Sequence, residues 1–281
     1  MNEKESLRVD IESVVKGKSP KWGRRIPRFV YNYLIRIIQQ DRINRFLEIH
    51  PETGVDFADS LLEYLHIDVQ VDGEENIPET GRFIFASNHP LGGLDGVALI
   101  SVLGGKYNRD FKILVNDLLM AMKPLTENFL PINKHGRQEK ENADALTQAY
   151  EGDGQMAVFP AGMVSRWQGK EIKDLVWNKA FITKSIQHRR DVIPVWFEGY
   201  NTRSFYNLAR WRSRLGLKFN IEQIYLPDEM FKSEYKTFTI HFGKPIPWQT
   251  FDKSRSRKDW AQYVKEQVYA IRDRLNKPTR I

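Results

Sequence analysis

Residues 83–86 form an uninterrupted apolar run, which a glycine-rich loop separates from a second apolar segment at residues 97–103. The first run is typical of a strand buried on both faces, and the second favours a helix. Further strand-like runs alternate with helix-like segments along most of the chain. This order predicts an α/β protein with a mixed, largely parallel sheet flanked by helices.

The N-terminal part of the chain has the apolar spacing of a helical pair. Phe29, Tyr33 and Ile37 recur at helical intervals with arginines between them, which predicts one amphipathic helix over residues 27–48. A second helix is predicted at residues 55–65. A basic, aromatic helix of this kind either lies at a bilayer interface or packs against a core, and both interpretations stay open. The other predicted elements are strands at 67–71, 83–86, 111–115, 156–159, 192–197 and 235–242, and helices beginning at 97 and over 117–122, 139–150, 177–188 and 260–275.

Composition narrows the classes of protein that this chain can be. Of its 281 residues 41% are hydrophobic, which is enough for a substantial core. The absence of cysteine excludes disulfides and thiolate-bound metals. Residues 1–20 are polar, unlike a signal peptide, and no run of eighteen apolar residues occurs. We therefore expect a cytoplasmic protein, either free or peripheral on a membrane.

Positive charge is concentrated in two parts of the chain. Residues 16–45 hold nine Lys or Arg and one acid, Asp41, within a net charge of +7. Residues 203–218 hold five basic residues and no acid, together with Phe205, Tyr206 and Trp211. Such clusters suit an anionic surface, namely a membrane, a nucleic acid or an acyl carrier protein. A solvated charged face is the simpler alternative.

The loop after residues 83–86 carries a histidine and a carboxylate, His89 and Asp95, with five residues between them. A neutral histidine can take a proton from a hydroxyl, and a carboxylate beside it fixes the tautomer and stabilises the imidazolium. Alternatively, Asp95 caps the following helix and His89 is an ordinary loop residue. Asn88 is expected to hold the loop through side-chain bonds to backbone. The candidate loop-shaping residues are Gly92, Gly93 and Gly96.

The His-x5-Asp spacing, with Asn-His-Pro in front and Asp-Gly behind, resembles the first signature block of the glycerolipid acyltransferase superfamily. The usual spacer there is four residues. The five-residue form resembles a subgroup, the bacterial O-acyltransferases of amino-acid lipids and their hemolysin-like relatives. Residues 129–134, 157–166, 192–195 and 241–246 resemble the later blocks in the expected order. The resemblance covers about residues 67–250.

The resemblance implies an enzyme that moves an acyl group from a thioester to a hydroxyl, with His89 as base and Asp95 as its orienting partner. Backbone amides of the turn Pro160-Ala161-Gly162 are candidate donors to the oxyanion. Lys134, where Arg is usual, and Arg166 are candidate contacts for an anionic headgroup or carrier phosphate. The candidate substrate-binding set is Lys134, Phe159, Pro160, Ala161, Gly162, Ser165 and Arg166.

The third block also bears on the acceptor. Ala161 and Val164 stand where the family usually has a Glu and an Arg, and that Arg is thought to meet a phosphate. We therefore expect a lyso amino-acid lipid as acceptor, with lysophosphatidic acid as the alternative. The expected donor is acyl carrier protein or acyl-CoA, and the expected location is the inner face of the cell membrane, on an anionic surface. No metal, organic cofactor or nucleic acid is implied.

Three regions are expected: an N-terminal basic helical region (1–66), an acyltransferase domain (67–250) and a C-terminal helix packed on it (251–281). Two other functions stay open. One is a non-catalytic basic protein that binds membranes or nucleic acid, and the other is a lipid hydrolase that uses the same His-Asp pair with water. Catalysis requires His89 and Asp95, whereas simple binding does not. Ser165 lacks the Gly-x-Ser-x-Gly context of a hydrolase nucleophile.

Overall fold

A computed structural model describes residues 8–18, 25–116, 119–120, 122–132 and 140–275 of the chain, with the side chains of 140–142 left out. Within these residues the main sheet has seven strands in the order β1-β9-β8-β2-β5-β3-β4, and β6 and β7 form a separate hairpin. The strands are β1 (Asp68–Asp72), β2 (Phe83–Ser87), β3 (Phe111–Asn116), β4 (Phe129–Ile132), β5 (Gln155–Val158), β6 (Arg166–Gln168), β7 (Glu171–Lys173), β8 (Asp191–Phe197) and β9 (Thr237–Phe242).

Helices cover both faces of this sheet. They are α1 (Ile11–Lys18), α2 (Arg28–Ile37), α3 (Gln40–Ile49), α4 (Gly54–Tyr64), α5 (Gly93–Lys106), α6 (Lys140–Glu151), α7 (Ala180–His188), α8 (Arg203–Arg214), α9 (Leu226–Phe231) and α10 (Arg257–Arg274). None of the described helices is long and apolar enough to cross a membrane.

The sheet is mixed and largely parallel, which confirms the fold class predicted from the sequence. Strands β8, β2, β5, β3 and β4 run parallel to one another. β9 runs antiparallel to β8, and β1 pairs in parallel with β9 at the edge. The carboxyl ends of β2, β5 and β8 therefore meet at one edge of the sheet, where open α/β sheets bind their ligands.

The central strands are buried on both faces, as the apolar run at residues 83–86 predicted. Phe83 and Phe85 join the core cluster that includes α4 and α5. Ile84 and Ala86 join a second cluster on the opposite face, which includes residues of α7 and α10. Burying each such large apolar side chain stabilises the fold by about 1.5–3 kcal/mol. The sheet therefore lies between two helical layers.

One helix was predicted over residues 27–48, and that prediction is wrong. The chain there forms α2 and α3, which are separated at Gln39, where φ is +59°. A residue in this left-handed region cannot continue a right-handed helix, so the chain changes direction. Phe46 and Leu47 of α3 are buried in the core cluster, whereas Phe29 of α2 is 72% exposed. Core packing thus accounts for α3, and α2 keeps an exposed aromatic face.

The other differences from the sequence predictions are local. The hairpin of β6 and β7 and the helices α8 and α9 were not predicted. Each strand of the hairpin has three residues and α9 has six, and the segment of α8 stood out in the sequence only for its basic and aromatic residues. Helix α5 begins at Gly93 rather than at residue 97, which places Asp95 inside its first turn. Residues 117, 118 and 121 of the helix predicted at 117–122 lie outside the described residues. The division into three regions remains a prediction.

Candidate active site

The candidate site lies where β2 and β5 end. Asn88 and His89 directly follow β2, and Phe159 directly follows β5. Because these two strands are parallel neighbours, their following loops meet at the carboxyl edge of the sheet. Strand β8, which pairs with β2 on the side opposite β5, ends at Phe197.

His89 and Asp95 form a hydrogen-bonded pair, with 3.0 Å between Nδ1 and Oδ2. Asp95 is completely buried, whereas the His89 side chain is 17% exposed. The Asp95 carboxylate also accepts from the amides of Leu91, Gly92 and Gly96 at 3.0, 3.3 and 2.9 Å. One interpretation of the sequence made Asp95 the cap of the helix that follows the loop. In the structure Gly92 is the N-cap of α5, and Asp95 lies three residues later. One carboxylate therefore both shapes the loop and binds the histidine.

This pairing defines which histidine nitrogen is available for chemistry. Asp95 is an acceptor towards Nδ1, so Nδ1 carries the proton in the neutral ring and Nε2 keeps its lone pair. The ring of Phe159 stacks on the imidazole, with 4.1 Å between centroids and 20° between planes. The stack limits rotation of the ring, and the arrangement can take a proton at Nε2.

The glycines of the loop contribute unequally. Gly92 has φ +91°, which strains any other residue, and a Cβ there would lie 3.0 Å from the Leu226 side chain, which would have to shift. Gly96 would place a Cβ at ordinary contact distance from Phe159 and Ile113. A Cβ at Gly93 would meet nothing within 4 Å. Of the three predicted loop-shaping glycines, the geometry requires Gly92.

A second buried carboxylate, Asp174, holds the backbone of the same loop. Its Oδ1 accepts from the His89 amide at 3.2 Å and from the Ser165 hydroxyl at 2.6 Å. Its Oδ2 accepts from Trp177 Nε1 at 2.8 Å, and its own amide donates to the Tyr269 hydroxyl at 2.7 Å. Burial raises the pKa of the Asp174 carboxyl, against the opposing effect of these hydrogen bonds.

Sequence reasoning missed Asp174, since 85 residues separate it from His89 and its segment matches no block of the family. Ser165 was predicted as a substrate contact. In the structure Ser165 is buried, and its amide donates to the His89 carbonyl at 2.7 Å. Its hydroxyl is bonded to Asp174. Ser165 and Asp174 therefore bind both the amide and the carbonyl of the candidate base.

The turn after β5 offers fewer oxyanion donors than expected from the sequence. Pro160 has no amide hydrogen, and the Gly162 amide donates to the Phe159 carbonyl at 2.8 Å. Gly162 has φ +62°, which closes this tight turn. Of the turn whose backbone amides were expected to bind the oxyanion, one candidate donor therefore remains, the amide of Ala161.

Arg166 is held by an internal partner. Its guanidinium donates to Glu222 at 2.9 Å and to the Val164 carbonyl at 2.8 Å. Arg212 pairs with the other Glu222 oxygen at 2.8 Å. Burial lowers the pKa of the Arg166 guanidinium, although Glu222 opposes this. Arg166 therefore lies in a buried ion-pair cluster beside the site, and Lys134, the other predicted anion contact, lies outside the described residues.

The family model described as Acyltransferase matches residues 13–277. The chain belongs to this acyltransferase family, and it is therefore an enzyme that transfers acyl groups. This match confirms the resemblance found in the sequence.

Two curated relatives are similar over nearly their whole length. A lyso-glycine lipid O-acyltransferase of Bacteroides thetaiotaomicron is 51% identical over 264 residues, which cover 94% of this chain and 97% of the relative. A protein of the same name from Phocaeicola vulgatus is 50% identical, with 94% and 95% covered. Among solved structures, the 1-acyl-sn-glycerophosphate (LPA) acyltransferase PlsC of Thermotoga maritima matches with a TM-score of 0.51. It covers 90% of this chain and 91% of its own, and at 17% identity it shows a shared fold.

Proposed function

We propose that the protein transfers a fatty acyl group from an acyl thioester to the hydroxyl of a lyso-glycine lipid, with His89 as general base. The observation that carries this proposal is the His89–Asp95 pair at the carboxyl edge of β2, in a chain about half identical to proteins named for that reaction. A thioester is already activated, so no covalent enzyme intermediate is required.

The geometry supports one order of events. His89 Nε2 takes the proton of the acceptor hydroxyl while the hydroxyl oxygen attacks the thioester carbonyl carbon. The resulting tetrahedral intermediate bears a negative oxygen, for which the Ala161 amide is the candidate donor in the turn. The carbon–sulfur bond then breaks, and the leaving thiolate takes the proton back from the imidazolium. Asp95 stabilises that imidazolium between the two proton transfers.

The surroundings of Val164 support an acceptor without a phosphate. Val164 is buried in an apolar cluster with Phe205 and Tyr206, and the neighbouring Arg166 is already paired with Glu222. A phosphate dianion placed there would lack a charge-assisted donor, at a cost of about 1.5–3 kcal/mol. A headgroup with a single carboxylate carries less charge, so it would lose less free energy at the same place.

Competition between the two acceptors tests this proposal. Purified enzyme receives lyso-glycine lipid and lysophosphatidic acid in one mixture with a single acyl donor, and mass spectrometry measures both products. We expect a higher kcat/KM for lyso-glycine lipid, and at least about a hundredfold less product of either kind from His89→Ala. A higher kcat/KM for lysophosphatidic acid would reverse the assignment of the acceptor and would point to Lys134 as a phosphate contact.

The donor and the location are parts of the same proposal. Acyl carrier protein and acyl-CoA both present a thioester, and parallel assays with each decide between them.

We place the enzyme peripherally on the inner face of the membrane. The exposed Phe29 and Tyr33 of α2 support this. Three cations of residues 16–45 form ion pairs within the protein. Lys16 and Arg28 pair with Glu12, and Arg42 pairs with Glu234.

A further inference from the structure

We propose that residues 210–219, at the end of α8 and in the loop after it, form a bilayer-docking patch that brings the enzyme onto anionic lipid next to its active site. The proposal rests on the proposed function only in naming a lipid as the acceptor. The segment is called the 210–219 patch below.

The patch exposes more large apolar side chains than a solvated surface explains. Trp211 is 60% exposed, Leu215 70% and Phe219 68%, and Leu217 between them is also exposed. Every residue from 213 to 219 is exposed. Single exposed apolar residues are common on soluble proteins, but four within nine residues mark an interaction site.

The apolar residues alternate with cations. Arg210, Arg214 and Lys218 are exposed in the same stretch, and residues 203–218 contain no acid. The nearest acid in sequence, Glu222, is buried and paired with Arg166 and Arg212. This mixture of leucines, aromatic residues and cations matches the interface of an anionic bilayer, where rings and methyl groups enter the acyl boundary and cations meet phosphates.

The patch is not the uncovered side of an incomplete core. The inner side of α8 is already packed, since Phe205 and Tyr206 are buried with Val164 and Ile172 of the hairpin region. Phe205 and Tyr206 lie in the same basic stretch as Trp211, but their side chains are buried, whereas that of Trp211 is exposed.

The shape of the loop after α8 is fixed without a partner. Arg212 donates to the Leu217 carbonyl at 2.7 Å, and Gly216 has φ +68°, which a sharp turn requires. Docking therefore has less conformational entropy to overcome than a disordered segment would have.

Both ends of α8 are connected to the catalytic loop. Before its first residue, Asn201 donates to the Pro90 carbonyl at 3.1 Å. At its far end, Arg212 and Arg166 share Glu222, and Arg166 follows Ser165, which binds the His89 backbone. The hydroxyls of Tyr33 and Tyr225 are hydrogen-bonded, so α2 borders the turn that follows the patch. A bilayer on the patch would lie beside the loop that carries His89.

Vesicle co-sedimentation tests the contact directly. The variant Leu215→Glu/Phe219→Glu changes two exposed side chains, and Tyr235→Asn removes an exposed aromatic ring outside the patch as the matched control. Asn suits the positive φ of Tyr235. With vesicles of phosphatidylglycerol and phosphatidylcholine, we expect the patch variant to partition about tenfold more weakly or worse than wild type, and the control to be unchanged. Equal partition of the patch variant would overturn the proposal.

An activity assay separates docking from chemistry. Lyso-glycine lipid is supplied either within vesicles or as a short-chain analogue dissolved below its aggregation concentration, with acyl-CoA as donor. We expect the patch variant to lose activity at least about tenfold on vesicles and to keep wild-type activity on the soluble analogue. Loss that appears only with acyl carrier protein as donor, with vesicle binding intact, would make the patch a carrier-protein site and overturn the bilayer proposal. Failure of the wild type on lyso-glycine lipid in both forms would contradict the proposed function, while the partition experiment would still decide the patch.

Discussion

Asn88 and Phe197 exchange two hydrogen bonds between a side chain and a backbone. Asn88 Nδ2 donates to the Phe197 carbonyl at 3.0 Å, and the Phe197 amide donates to Asn88 Oδ1 at 2.6 Å. The asparagine amide thereby continues the parallel ladder of β2 and β8 beyond the last residue of β2. Since His89 is the next residue, this pair fixes the point from which the candidate base departs.

Asn88→Ala is expected to lower both stability and turnover. The change leaves the buried amide and carbonyl of Phe197 without these partners, which costs about 1–3 kcal/mol of unfolding free energy. Urea unfolding and steady-state acyl transfer measure the two effects. The control is Asn207→Ala, because Asn207 is exposed on α8. Wild-type stability of Asn88→Ala would show that the exchange contributes little.

His89→Ala should lower kcat by two to four orders of magnitude, roughly the contribution of a positioned general base. The fold should survive, because the imidazole is partly exposed and its removal leaves the backbone bonds of residue 89 in place. His66→Asn, at an exposed histidine with φ +50°, should keep wild-type turnover. Near-normal turnover of a folded His89→Ala protein would exclude the mechanism.

Asp95→Asn should cost both turnover and stability. One carboxylate oxygen faces His89 and the amides of Leu91 and Gly92, and the other faces the amide of Gly96. Either orientation of an asparagine places its NH2 opposite a backbone donor, which costs about 1–3 kcal/mol. When the NH2 faces His89, it also forces the tautomer in which Nε2 is protonated and cannot act as base. A variant with wild-type stability and turnover would contradict both effects.

Arg166→Met should reduce the unfolding free energy by about 3 kcal/mol, because it leaves Glu222 buried with Arg212 as its remaining partner. Arg210→Met, at an exposed arginine of the same region, serves as the control and should change stability little. A stable Arg166→Met protein with a raised KM would instead support the headgroup contact expected from the sequence.

Stability should depend on the ionisation of Asp174. Burial raises the pKa of this carboxyl in the folded protein above its ordinary value of 3.8, so the folded state binds the proton more tightly than the unfolded state. The associated stability is present below the ordinary value and is lost as pH rises through the raised one. Relative to Asp174→Asn, the wild-type unfolding free energy should therefore fall as pH increases from about 4. Urea titrations of both proteins across this range measure how the difference in unfolding free energy depends on pH. An unfolding free energy of wild type that rises with pH relative to that of Asp174→Asn would contradict the prediction.

The sequence was informative wherever the signal was local. Apolar runs located the central strands, and the His89–Asp95 spacing located the pair that the structure brings to 3.0 Å. It was uninformative where partners are distant in the chain. Glu222 lies 56 residues from Arg166, and with this partner unknown, Arg166 was interpreted as a free anion contact. Asp174 was not predicted for the same reason, since no short sequence pattern links it to His89.

The pairing of β1 with β9 also constrains how the chain reaches its native state. Asp68 and Thr237 face each other in this pair, and β1 has no other neighbour among the described strands. The edge strand that comes first in synthesis therefore cannot join the sheet until β9 has been made. Closing so long a loop is entropically costly, and non-local pairings of this kind slow folding. Until then, the core cluster that contains Phe57 of α4 lacks the apolar side chains of β9, such as Phe238. A nascent chain therefore carries an incomplete apolar surface that chaperones can recognise.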